Sequence, residues 1–208
     1  MESLKSPSSS SEKRNLLSSV FIGLLLALAY QEMVPPARES FRSEGPSFAL
    51  GVLLSVFFLT TMRFFIGAIL HLVSDTLVRL PGGHWFFDFI VISLEMTIII
   101  FMGGLTSVEA NLNPRFGFFA LLTLLYIVDV LWIVAQWLYG RLRPAWRRPF
   151  IPSKWALLNT ALIAITLITL LSSADLYAPL ALAVLGLANV GAFVVDVILI
   201  DHYKVLRP

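Results

Sequence analysis

Residues 116–138 read FGFFALLTLLYIVDVLWIVAQWL, and this stretch decides the fold. It carries a single acidic residue, Asp129, and a single amide, Gln136, in a run otherwise dominated by Leu, Ile, Val and aromatic side chains. About 20 mostly apolar residues cross the hydrocarbon core of a bilayer as an α-helix. The period-2 alternation of a membrane barrel strand is absent. The stretch therefore reads as a transmembrane helix. Its buried acid marks an inward face, because ionisable groups at membrane depth are costly and turn toward partners.

Five further stretches read the same way: 15–34, 48–73, 85–105, 155–171 and 176–200. The expected fold is an all-α integral membrane bundle of six transmembrane helices. Residues 1–14 form a polar cytoplasmic tail, 15–200 the membrane domain, and 201–208 a short second tail. The composition agrees. Hydrophobic residues make up 58% of the chain and charged residues only 13%, about half the charged share of a soluble domain. A soluble enzyme, a nucleic-acid-binding domain and a disordered chain are thereby excluded. With no cysteine, disulfides, thiolate metal sites and Cys nucleophiles are excluded too.

The first span is the least apolar, and Gln31 and Glu32 belong at its interface. Lys13 and Arg14 before it and Ala27-Leu28-Ala29 within it also fit a cleavable signal peptide, although a retained helix is the reading adopted. The fifth and sixth spans meet through Ser172-Ser173-Ala174-Asp175, whose capping residue types suit a tight antiparallel hairpin.

Basic residues set the orientation. Of 15 Lys and Arg residues, a six-span chain places 11 on one side and leaves only Arg38, Arg42 and Arg115 on the other, with Arg63 inside a span. Both termini are therefore expected in the cytoplasm, with the plasma (inner) membrane as the location. The segment 141–154 is the densest basic stretch. Arg141, Arg143, Trp146, Arg147 and Arg148 suit anionic lipid headgroups, or alternatively an acidic partner protein. Nucleic acid is not expected as a partner.

The membrane-embedded polar residues follow a spacing. Asp88 and Glu95, Asp129 and Gln136, Asn159 and Thr166, and Asn189 and Asp196 are each seven residues apart, and Arg63 and His71 eight. Both intervals return to nearly the same helical face after about two turns. Helices two to six thus each turn one polar stripe inward, in two layers. Arg63, Glu95, Asp129, Thr166 and Asn189 lie near the midplane. His71, Asp88, Gln136, Asn159 and Asp196 lie about 10 Å nearer the cytoplasm. The first helix adds nothing to either layer and is expected at the periphery. The opposite half of the bundle is nearly free of charge.

Such a column reads as a cytoplasm-facing polar site that handles protons or cations, in a small channel- or transporter-like protein. It also reads as an ion network that only specifies which helices are neighbours. The alternative function is a non-enzymatic membrane subunit that anchors, senses or signals to a partner protein. A third reading, a membrane enzyme, rests on His71-x-x-x-Asp75 and His84-x-x-x-Asp88, since i and i+4 on a helix can offer two ligands to one metal. No catalytic residue and no cofactor is expected, because no phosphate-binding loop, nucleophile elbow or regular Arg ladder is present. Ile127–Val130 and Val194–Val197 echo each other around Asp129 and Asp196, as duplicated hairpins would, but the two acids sit at different depths. Ala181, Ala188 and Ala192 form a small-residue face suited to close helix contact, within the chain or in a homo-oligomer.

Overall fold

The computed structural model describes residues 9–73, 82–107, 117–142, 153–172 and 179–205. These form six helices: α1 (Ser9–Glu44), α2 (Phe48–Val73), α3 (Gly82–Gly104), α4 (Phe118–Leu142), α5 (Ser153–Ser172) and α6 (Pro179–Val205). Each contains a segment long and apolar enough to cross a membrane. The protein is thus an all-helical, multi-pass membrane protein.

Helix pairing defines the architecture. α2 packs on α3, α3 on α4, α4 on α5, α5 on α6, and α6 back on α2, closing a five-membered ring. α1 lies outside this ring, against α2 and α3. Contacts fix relative directions. Val52 approaches Gly186, and Thr60 approaches Asn189 further along both helices, so α2 and α6 run parallel. α3 and α4 run antiparallel, with Asp88 meeting Trp132 and Glu95 lying near Asp129.

α1 is longer than its apolar run and continues through Pro35 and Pro36 to Glu44. Proline has no N–H to donate to the carbonyl four residues earlier. The carbonyls released belong to Gln31 and Glu32, both at exposed positions where other donors can reach them. Its contact with α3 is close. A Cβ at Gly103 would lie 2.6 Å from the Ala29 carbonyl oxygen, so only glycine permits this approach. Thr106 Oγ1 also donates to the Met33 carbonyl (3.3 Å), and the Ser40 and Ser107 hydroxyls pair at 3.2 Å.

The apolar core fills one half of the ring. Leu53, Val56 and Phe57 of α2, Ile99 and Met102 of α3, Phe118, Leu122 and Leu125 of α4, and Leu182 and Leu185 of α6 are all buried. Lipid tails are as apolar as these side chains, so close packing rather than water exclusion holds such a core together. Gly186 shows how. A Cβ there would meet Val52 at 3.3 Å. Ala181 and Ala192 are buried on the same side of α6, so its small-residue face is used within the chain. α5 buries only a narrow stripe, Asn159, Leu162, Thr166 and Thr169. Thr166 and Thr169 donate to carbonyls of their own helix, which leaves Asn159 as the amide it turns toward the ring.

Candidate functional site

The half of the ring opposite the apolar core holds the polar residues, and their helical registers explain how they meet. On α2, Thr60, Arg63, Phe64, Gly67 and Ala68 recur at intervals of three and four, the spacing of one helical face. On α4 the corresponding set is Tyr126, Asp129, Trp132 or Ile133, and Gln136. Asp196 follows Ala192 and Asn189 down α6. Arg63, Glu95, Asn159, Asn189 and Asp196 are all buried.

One hydrogen-bonded chain links four helices. Arg63 Nε donates to Asp196 Oδ2 at 2.5 Å, an ion pair between α2 and α6. Arg63 Nη2 donates to Asn159 Oδ1 at 3.0 Å, and Asn159 Nδ2 donates to Asp129 Oδ2 at 2.6 Å. The Asn159 amide has only one workable orientation here. Reversing it would set its NH2 against the guanidinium and its oxygen against the carboxylate. The Tyr126 ring lies 5.7 Å from the guanidinium carbon, within cation–π range.

The fifth helix of the ring, α3, brings Glu95, which is 4% exposed. Its Oε1 has no hydrogen-bond partner, and neither has Arg63 Nη1. Both residues line one cavity together with Asp129, Asn159 and Asp196. Phe64, Gly67, Ala68 and Ile92 form its apolar wall, and Trp132 and Trp155 complete it. The volume open to water is about 60 Å³, room for roughly four waters. Three carboxylates and one guanidinium therefore share a space of that size, a formal charge of −2 if all are ionised.

Two further clusters border the cavity. Toward the apolar core, Asn189 Oδ1 accepts from Tyr126 Oη at 2.5 Å and from Thr60 Oγ1 at 3.4 Å, while Asn189 Nδ2 donates to the Leu185 carbonyl at 2.9 Å. In the other direction Trp132 Nε1 donates to the fully buried Asp88 at 3.1 Å. Gln136 is buried there too, with no hydrogen-bond partner for either polar atom of its amide.

The two layers read from the spacing are thus joined rather than separate. Arg63 starts at the midplane level but pairs with Asp196 and Asn159 of the lower one. Arg63, Glu95, Asp129 and Asp196 come together on one cavity, while Asn189, Asp88 and Gln136 lie outside its lining. Thr166 serves its own helix. The side chains of His71 and His84, and the whole of Asp75, lie outside the described residues. Among the described residues no three His, Asp or Glu side chains group as a metal site. Arg141 is exposed at the end of α4, with its guanidinium 4.3 Å from the Trp137 ring. Arg143, Trp146, Arg147 and Arg148 lie outside the described residues, as does the connection 173–178. Tyr126, Thr60, Trp132 and Trp155 were missed as site residues. Each sits three or four positions from a polar residue already on the inward face, which is the signal that could have found them. No protein-family model, no curated protein and no solved structure matches the chain.

Proposed function

We propose that the protein is a small transporter- or channel-like membrane protein whose partly open cavity between the helices handles protons or cations. The observation that carries this reading is the charge imbalance of one cavity: three carboxylates from three helices face a single arginine, and Glu95 Oε1 has no protein partner. A network that only specified packing would be expected to pair its charges, because an uncompensated charge in a low-dielectric interior is costly. Here two negative charges remain to be offset, and protons or a cation can do so. The filled apolar half beyond Tyr126 and Asn189 favours alternating access over an open pore.

Orientation belongs to the same proposal. The basic excess supports an orientation with the cavity half of the bundle toward the cytoplasm and with 141–154 against anionic headgroups. Arg141 over Trp137 supports that anchor, since an aromatic ring beside a cation is a common interfacial pairing. The test is flux. Purified protein in liposomes, with no other protein present, is expected to dissipate an imposed proton or cation gradient. Glu95→Gln with Asp129→Asn should remain folded and carry none. A folded double variant with undiminished flux, or a wild type silent under every gradient, overturns the reading.

A further inference from the structure

We infer that the ion of this site is the proton and that Glu95 is the residue that holds it, with Asp129 as a second acceptor; the inference rests on the proposed transport reading and narrows it to one ion. Glu95 stands near the middle of α3 and is almost fully buried. The ionisable groups around it are Arg63 from α2, Asp129 from α4 and Asp196 from α6, all on the same cavity. Tyr126, also on α4, is engaged through its hydroxyl by Asn189. α1, packed on α3, carries no ionisable residue from Phe21 to Ala29.

Arg63 does not serve Glu95. Its Nε and Nη2 are committed to Asp196 and Asn159, and Glu95 Oε1 is left without a donor. A buried carboxylate in that position is stable only when a proton or a cation joins it. The ligand set decides between the two. A metal cation draws on several oxygen or nitrogen ligands that converge on one point. Although Glu95, Asp129 and Asp196 line one cavity, no three acid or imidazole groups among the described residues come close enough together to hold one ion. Asp129 Oδ2 and Asp196 Oδ2 already accept hydrogen bonds. Asp196 Oδ1 has no partner but belongs to the carboxylate whose charge Arg63 offsets, and the guanidinium in the lining repels a second cation. A proton needs one oxygen.

The charge closes on the same answer. With one proton on Glu95 and one on Asp129, the layer keeps only the Arg63–Asp196 pair and is neutral without a co-ion. Release is simple proton transfer. The O–H bond at Glu95 breaks, its electron pair stays on the carboxylate, and the proton passes to a water in a cavity that has room for roughly four.

Infrared spectroscopy of the full-length protein in liposomes reads this directly. At neutral pH protonated-carboxyl C=O absorption, shifted in D2O, is expected from both acids; Glu95→Gln removes the Glu95 component and leaves that of Asp129, and Asp129→Asn does the reverse. Glu95→Asp keeps an acid one methylene shorter and should retain a band at altered frequency, which serves if Glu95→Gln inserts poorly. In the same vesicles a pH gradient should drive flux, and Na+ or K+ gradients should not. Absence of the absorption, a spectrum left unchanged by Glu95→Gln, or flux carried by Na+ or K+ overturns the inference while leaving a cation-transport reading standing. A Glu95-dependent band in vesicles that move no ion upholds the bound proton and sinks the transport reading instead.

Discussion

Two nitrogens of the Arg63 guanidinium are committed, Nε to Asp196 and Nη2 to Asn159, and through Asn159 the same cation reaches Asp129. Arg63→Ala would leave a buried Asp196 carboxylate and the Asn159 oxygen without their donors. Breaking one side of a buried pair typically costs about 3–5 kcal/mol. Adding Asp196→Asn removes the stranded charge, so the double variant should be more stable than Arg63→Ala alone. Denaturant unfolding in detergent, run as a double-mutant cycle, measures this. If the double variant is the less stable of the two, Arg63 and Asp196 are not coupled. This residue also marks where sequence reading falls short. Counting positions along a helix gives the depth of a Cα, but an arginine side chain exceeds one helical turn of about 5.4 Å. Arg63 could therefore join two levels that the seven-residue spacing had kept apart.

At the scale of helices, the spans were legible because length and apolarity are local properties. The inward stripes were legible because each recurs at a fixed interval within one helix. Neighbour relations were not, since they depend on side-chain shape between segments far apart in sequence. Gly103 is the clearest case. Nothing around it in the sequence separates it from Gly104, yet its missing Cβ admits the α1 backbone, whereas a Cβ at Gly104 would meet nothing within 4 Å. Gly103→Ala should push α1 away from α3, and Gly104→Ala should not. The chain has no cysteine, so a pair introduced at Phe21 and Phe89, whose rings lie 4.9 Å apart, reports the separation. Cross-linking should slow in Gly103→Ala and stay unchanged in Gly104→Ala. Equal rates in both would show that α1 accommodates the methyl without moving.

For the whole molecule, the five-helix ring with its cavity toward one end gives the bundle a polarity, and in the proposed orientation that end faces the cytoplasm. A cysteine introduced at Arg147 should be protected from an impermeant thiol reagent in intact cells, and one at Ala110 should be labelled. The reverse pattern inverts the proposed direction of the site. Composition made the membrane class legible, and the skew of Lys and Arg supplies the expected direction that this labelling tests. The closed ring was not, because helices two and six are the two ends of the membrane-domain ring in sequence and only the fold shows them side by side.

The seat of α1 against Gly103 has a consequence for biosynthesis. Ala29 leaves the ribosome long before the glycine it rests on. At translation rates of roughly 5–20 residues per second, the interval is about 4–15 s. During that time α1 has α2 beside it but lacks the surface that fits it most closely. α1 can therefore be fully seated only after α3 has entered the bilayer, and chains stalled before that point would present the Ala29 face to membrane chaperones and proteases.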